Sequence, residues 1–588
     1  MWSCRSDAAV LSANKIIAMV DQPKTRWISS PPIPNEFNKA LELYPSLFRQ
    51  ILFNRGITTA SMAESFLRAD KPEYDPFLLR DLEKAIQLIH DSILLSKKII
   101  IFGDYDVDGV TASALMVQVL QQYGADVNSY IPNRFNEGYG LSMSALQEVL
   151  RLKPDLIITV DCGVRSVQEV DHARREGVSV IITDHHQPFT TLPRANAVIC
   201  PKQLDDDYPF KELAGVGIAY KLSQGLLQKY PIPNVSVDNW IDLVAVGTIA
   251  DLAPLNSENR TLVRKGLRSI KFGKRPGLLA LANVSGINIH EVKAEDIGFR
   301  IGPRLNAAGR LGSADLAFQI LMAETTEQAG AIALLLDQKN QKRQGITKEI
   351  QALVESRYDP EKSEWMLFYW DKDFNEGVVG LAASRLVEQF YRPAIIGVQK
   401  GDIVRASCRS VPELNITSAL DECKDLLFQH GGHKMAAGLT IEMKNIESFT
   451  KKFAKICERE LENIFPLVRE IKVEAQVSLM DLHPDLLKSF ADLEPVGIGN
   501  PMPLFIAKDV ECKGVRRIGK AGDHLKMTVS DGKINFDAVA FRLGEYYERI
   551  QSAQTIDILF SYDLNIYNGR ESLQLKIKDI DLSGLKSR

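Results

Sequence analysis

The 588-residue chain is poor in cysteine: it has seven, at positions 4, 162, 200, 408, 423, 457 and 512, and no two stand in CxxC spacing. That spacing excludes zinc modules and a disulfide framework, and it fits a reducing compartment, the cytoplasm. Nor is there an apolar run long enough to span a bilayer, so no membrane partner is expected. The opening "MWSCRSDAAVLSANKIIAMV" lacks a compact apolar segment followed by a small-residue cleavage site. Residues 1–34 therefore read as a disordered extension, with Met1 and Met19 both open as the start. Excess charge of one sign is missing too: 71 Lys and Arg face 75 Asp and Glu, a net charge of −4. A protein basic all over is excluded, and any grip on nucleic acid must come from local patches. Internal repeats and low-complexity tracts are absent. What is present, 45% hydrophobic and 25% charged residues, suits a globular protein with room for three or four domains.

Residues 35 to 95 are helical in pattern, as in "PEYDPFLLRDLEKAIQLIHDSILL". From about 98 short β-branched runs alternate with helical stretches, among them "KKIIIFG", "TASALMVQVLQQYG", "DLIITVDCG", "SVQEVDHARREG" and "VSVIITDHH". That alternation predicts a doubly wound parallel sheet. Residues 314–357, free of proline, predict one or two long helices bridging domains. A second α/β unit follows over 358–467. From 468 to 588, strand-like alternation separated by Gly, Asp and Asn turns predicts a small β-barrel. The expected division is an extension (1–34), a helical lead-in with the first α/β domain (35–313), a linking helix (314–357), a second α/β domain (358–467) and the barrel (468–588).

In open α/β sheets the functional crevice lies beyond the carboxyl ends of the strands. Three strands here end in ionisable residues, "IIIFGDYDVDG", "LIITVDCG" and "VIITDHH". Asp104, Asp106, Asp108, Asp161, Asp184, His185 and His186 would converge on one edge, where an empty cluster of like charges is unfavourable and a divalent cation removes the repulsion. Each part alone has a plainer reading, as a turn or a strand cap. A calcium loop is excluded, because Leu115 stands where its glutamate would be. Asp251, at the end of the apolar stretch "WIDLVAVGTIADLAPL", is a fourth element, whose plain reading is a helix boundary.

Together "DYDVDG", "VDCG", "DHH" and "GTIADLAPL" resemble the four motifs of the DHH phosphoesterase superfamily. The resemblance implies that Asp106, Asp108, Asp161, His185 and Asp251 hold two divalent cations, Mn²⁺ or Mg²⁺. Asp104 stands where relatives place a ligand or a water-holding residue. His186 has two readings, a phosphate or proton-relay partner and a structural residue of its loop. These two are the candidate catalytic residues. "GGHKMAAGLT", with "RASCRS", resembles the DHH-associated substrate domain. "IGPRLNAAGRLGSADLA", "NEGVVGLAASRL", "PVGIGNPMPLF" and "GKAGDHLKMTVSDG" resemble the RecJ family, whose tail is an OB-fold module. Asn375 and Cys408 depart from that family's usual residues.

The fold implied is a DHH-type parallel-sheet domain joined by a long helix to a DHH-associated α/β domain, with a C-terminal OB-like barrel. The activity implied is 5′ to 3′ hydrolysis of single-stranded DNA by a two-metal mechanism, releasing 5′-mononucleotides in recombination and repair. Single-stranded DNA, a single-stranded-DNA-binding protein and a recombination helicase are the implied partners. Ser407, Arg409 and His433 are candidate phosphate contacts, although "GGH" alone reads as a chain turn. Arg304 and Arg310 either hold the strand backbone or pair with nearby acids. Arg516, Arg517, Lys520 and Lys526 form a basic strand face or a solvated hairpin; "GVRRIGK" is no P-loop, since Ala521 follows it. A small-molecule DHH hydrolase would not need the barrel, and a catalytically dead relative would have lost ligands.

Overall fold

The computed structural model describes residues 25–69, 73–138, 140–359, 364–519, 521–567 and 570–582. The catalytic candidates lie in one compact unit, residues 64–343 with 492–501. Its five-stranded sheet comprises β1 (Ile99–Gly103), β2 (Val127–Tyr130), β3 (Leu156–Val160), β4 (Ser179–Thr183) and β5 (Ala197–Ile199). All neighbours are parallel, in the order β2-β1-β3-β4-β5. The strands are apolar throughout because both faces are covered, as a parallel sheet requires. Ile99, Ile101, Leu156 and Ile158 enter one core, and Ile100, Phe102, Ile157 and Val180 the other. Helices α1 (Val107–Gln122), α2 (Met143–Arg151) and α3 (Val167–Arg175) make the crossovers, and α4 (Gly215–Lys229), α5 (Ile241–Ala250) and α6 (Ser257–Lys271) follow the last strand. The strand order reverses between β1 and β3, and this switch point is where Asp104, Asp106, Asp108 and Asp161 emerge.

One buried cation secures the chain's return to this unit. Arg260 in α6 is 2% exposed. Its guanidinium donates to the carbonyls of Asp492, Leu493, Glu494 and Pro495 at 2.8–3.1 Å and to that of Phe66 at 2.9 Å. Five carbonyls around a planar fork match its donor geometry.

The second unit contains residues 1–63, 344–491 and 502–588. It holds a five-stranded mixed sheet from Leu367–Asp371, Ala394–Lys400, Ile403–Arg409, Gln429–His433 and Ala436–Glu442. It also holds a closed barrel of Phe505–Ile518, His524–Ser530, Asn535–Ala540, Ile556–Tyr567 and Arg570–Asp581, in which the first strand pairs with both the second and the fourth. Phe490, Phe505, Phe536, Phe560 and Tyr562 fill the barrel end with ring contacts.

Two expectations need correction. Residues 1–24 lie outside the described residues, but Thr25–Ser29 is a strand rather than disordered extension. It pairs in parallel with Arg469–Val473, and Trp27 Nε1 donates to Asp579 at 2.8 Å. A five-residue polar strand whose partner lies far along the chain carries no local signal. The early helices Asn35–Ala40 and Ser46–Asn54 group with the second unit, not with the first α/β domain. The linking segment, expected as one or two helices, is two, Asp315–Met322 and the 32-residue Thr326–Arg357. Among the described residues no helix is long and apolar enough to cross a membrane.

Arg260→Met should destabilise the first unit by at least about 3 kcal/mol, because carbonyls that lose a charged donor stay buried. A denaturant titration that shows a change below about 1 kcal/mol would mean water replaces the guanidinium.

Candidate active site

Each acid at the sheet edge is held by backbone groups. Asp106 caps α1, its carboxylate accepting the N–H groups of Asp108 at 2.9 Å and Gly109 at 3.2 Å. Asp108 turns back toward α4, whose first N–H groups, of Gly215 and Val216, donate to its two oxygens at 2.6 and 2.8 Å. Asp161 is left-handed at φ +61°, a conformation unusual for a residue with Cβ. It also needs Gly215 opposite, where a Cβ would stand 2.6 Å from its own. Asp184 accepts the Val164 N–H at 2.9 Å, and it accepts both the backbone N–H and Nδ1 of His186, at 3.0 and 2.7 Å.

The site closes around His185, whose Nε2 is 3.0 Å from Asp161 Oδ1 and 3.9 Å from Asp108 Oδ2. Its Nδ1 is 3.9 Å from Asp251 Oδ2. Three sets of ligand atoms lie within 4.8 Å of one another: Asp104, Asp106 and Asp161; Asp108, His185 and Asp251; and Asp161, His185 and His186. The first two sets share no residue, and Asp161 approaches the second through His185. Asp104 is thus within reach of Asp106 and Asp161 as a group that could hold a metal ion.

Four of these atoms are buried and have no other partner: both oxygens of Asp104, and Oδ1 of Asp161 with Nε2 of His185, which meet only each other, at 3.0 Å. Buried polar atoms are seldom left so. A hard divalent cation suits this donor set of carboxylate oxygen and imidazole nitrogen. The electrostatics agree. Burial and the neighbouring charges of Asp106 and Asp108 push Asp104 and Asp161 well above the carboxylate range, Asp104 chiefly through Asp106 and Asp161 first through Asp108. Burial followed by the neighbouring acids raises Asp108 to about 7 and Asp251 to about 9. Burial and the charge of His186 lower His185 to about 3, which keeps its imidazole neutral and able to ligate. His186 moves the other way, since its bond to Asp184 and that residue's charge outweigh burial.

Arg310 and Arg304 part company. Arg310 lines a cavity of about 190 Å³ with Asp104, Tyr105, Asp106, Arg134 and Asn306, and burial lowers it to about 10. Arg304 instead donates to Asp337 at 2.9 Å and to the Arg300 carbonyl at 2.7 Å, which is the pairing alternative. Sequence reasoning missed Arg134, which donates to Tyr105 Oη at 3.2 Å and lies over its ring. It follows β2, so the strand-end rule that found the acids also reaches it.

In the second unit, register sets Arg409 opposite Ala436, itself opposite His433, and Ser407 opposite Gly438. Arg409 Nη2 and Ser407 Oγ both face Gly380, where a Cβ would stand 3.1 and 3.4 Å from them. On the barrel Arg516 and Arg517 are exposed, Arg516 pairs across the ladder with Lys526, and Arg517 lies over Tyr547. Like charges directly opposite are unfavourable unless an anion lies between them. Lys520 lies outside the described residues.

Models of the DHH family N-terminal domain, the DHHA1 domain and the RecJ OB domain match residues 98–248, 363–459 and 473–579. The chain is 38% identical over 569 residues to the single-stranded-DNA-specific exonuclease RecJ of Bacillus subtilis, covering 95% of this chain and 71% of that protein. The chain belongs to the RecJ family. It is also 33% identical to the Escherichia coli RecJ, over 91% of this chain and 96% of that one. A crystal structure of the Thermus thermophilus RecJ with Mn²⁺ superposes with a TM-score of 0.81 at 31% identity, covering 95% of this chain and 79% of that one.

Carboxylates whose folded pKa is raised stabilise the fold below their unfolded value, and that stability is lost as pH rises through the folded value. For Asp108 and Asp251 the losses fall near pH 7 and 9. The melting temperature of chelated protein should therefore fall between pH 6 and pH 9. Mn²⁺ should raise it more at pH 8 than at pH 6, because binding displaces fewer protons there. Thermal scans with chelator or Mn²⁺ measure this, and a metal-independent melting temperature at pH 8 would remove the cation from the site.

Proposed function

We propose that the chain is a metal-dependent exonuclease that degrades single-stranded DNA from the 5′ end and releases 5′-mononucleotides in recombination and repair. The observation that carries this reading is the set of buried ligand atoms with no other partner at the switch point of the sheet, in a chain that matches RecJ proteins over nearly its whole length. Asp104, Asp106, Asp108, Asp161, His185 and Asp251 would hold two divalent cations, Mn²⁺ or Mg²⁺. When bound, such ions acidify water and neutralise charge on a scissile phosphate.

The chain's own residues do the rest. Asp108 is fixed by the N-terminus of α4, so its oxygens keep their place when the charges around them change. His185 stays neutral and offers a lone pair. His186, held by Asp184 and kept protonated more readily than a free histidine, presents a donor to a phosphate oxygen or passes a proton to the departing one. Arg310 and Arg134 supply fixed positive charge beside Asp104. In the second unit Arg409, Ser407 and His433 are proposed to receive a terminal phosphate, and the Arg516, Arg517 and Lys526 face the strand backbone. The free, mostly buried thiols suit a reducing cytoplasm. A single-stranded-DNA-binding protein and a recombination helicase fit this reading as partners.

Digestion of 5′- and 3′-labelled single strands with Mn²⁺, Mg²⁺ or chelator tests the proposal. Mononucleotides should appear first from the 5′ label, and chelator should stop the reaction. Asp161→Ala should lower the rate at least about a thousandfold, the scale of loss when a charge-stabilising group is removed. Near-normal cleavage by that variant would end the two-metal reading. Arg409→Ala should lower kcat/KM about tenfold or more on 5′-phosphorylated strands and less on 5′-hydroxyl strands; equal losses would remove Arg409 from the phosphate.

A further inference from the structure

Helix α5 ends at the site, and the way it ends is costly. Beyond Asp251, the Leu252 N–H bonds the Ile249 carbonyl and the Ala253 N–H bonds the Thr248 carbonyl, each at 3.2 Å. These are the two closing bonds of a Schellman motif, whose turn residue must be left-handed and is usually glycine. Here that residue is Leu252, at φ +63°. A branched side chain gains nothing from this conformation. Packing does not explain it either, since Leu252 is 65% exposed.

A second apolar side chain stands at the same helix end. Phe299, 78% exposed, lies in the π-helical turn Ile297–Ile301. That turn packs on the last residues of α5. The Cβ positions of Gly298 and Gly302 fall 3.6 Å from Ile249 and 3.5 Å from Ala250. Single π-turns within helical segments are frequent at functional sites. The polar neighbours of Phe299 are engaged elsewhere: Arg300 pairs with Asp296, and Arg304 with Asp337. Asp251, next to Leu252, is 3.9 Å from His185. Leu252 therefore borders the ligand cluster on its Asp251 side, and Phe299 stands exposed on the turn packed against the same helix end.

We propose that Leu252 and Phe299 form an apolar lip against which unpaired bases of the substrate strand pack, holding the strand in register over the reacting phosphate. This rests on the nuclease reading above. Bases of a single strand expose their flat apolar faces, and such faces bind apolar and aromatic side chains without regard to sequence. In a duplex the same faces are stacked on one another, so the lip favours unpaired strands. Both residues act by positioning, and neither touches the reacting atoms.

The test compares kcat/KM on a 5′-phosphorylated oligonucleotide with kcat/KM on the same strand made abasic at its first few nucleotides. In Leu252→Gly the ratio of the two should fall about fivefold or more, through KM on the base-bearing strand. The variant should melt no lower than the parent, because glycine suits the turn. Leu252→Asn, also tolerated at positive φ, should behave alike. Phe299→Ala leaves the turn untouched and should lower the ratio too, which decides the matter if the first variants fold poorly. An unchanged ratio in Phe299→Ala and in a folded Leu252 variant overturns the proposal, as does equal slowing on both strands. A parent protein that cuts neither strand overturns the nuclease reading and this inference with it.

Discussion

Repulsion among buried carboxylates is the constraint around which the first unit is built. Asp104, Asp108 and Asp161 are almost wholly shielded from water, and Asp251 is close by, so none can ionise cheaply beside the others. The scaffold answers with directed backbone donors. The start of α1 binds Asp106, the start of α4 binds both oxygens of Asp108, and Asp184 is saturated by Val164 and His186. The oxygens left over are those of Asp104 and Asp161, together with one nitrogen of His185. Satisfied and unsatisfied atoms are thus sorted: the backbone fixes the direction of Asp106, Asp108 and Asp184, and Asp104 and His185 each lie close to Asp161. A site of this kind keeps its shape through rigid donors and gains its stability from whatever cation it takes up.

Much of this was legible in the chain itself because strand ends are local features. An apolar run followed at once by Asp or His places the charged residue at the sheet edge whatever the rest of the fold does, and the acids at 104–108, 161 and 184–186 obey that rule. Asp251 was legible for a related reason, as the polar end of an apolar helix. The barrel was legible from alternation and turns. Arg134 was passed over because it stands four residues beyond its strand, in a loop with no run of acids or histidines to draw attention. Arg304 could not be assigned because its partner, Asp337, is remote in sequence and on another helix. The strand Thr25–Ser29 left no trace for the same reason: its register is set by Arg469–Val473 and by a side-chain bond from Trp27 to Asp579. Local pattern reports what a segment can do alone, and contacts across hundreds of residues are invisible to it.

The two cationic surfaces of the second unit differ in kind. Arg409 is largely buried beside Ser407 and the start of the helix Val379–Phe390, in a strand row whose neighbours are glycine and alanine. On the barrel hairpin, exposed Arg516 stands opposite the half-buried Lys526, while the next residue, Arg517, is paired with Leu525 and lies over Tyr547.

The clasp on Arg260 also has a consequence for synthesis on the ribosome. Its guanidinium is made early, whereas four of the carbonyls that surround it belong to Asp492–Pro495. At a translation rate of about 5–20 residues per second, the cation waits on the order of ten to fifty seconds for those partners. The strand Thr25–Ser29 waits longer still for Arg469–Val473. The emerging chain therefore carries the segment Thr25–Ser29 without its strand partner through most of its elongation, and Arg260 without four of its five carbonyls through more than a third of it. The last steps of maturation tie early segments to late ones, so a nascent chain that stalls before residue 492 has every ligand of the catalytic cluster in place but lacks the segment that completes the unit bearing it.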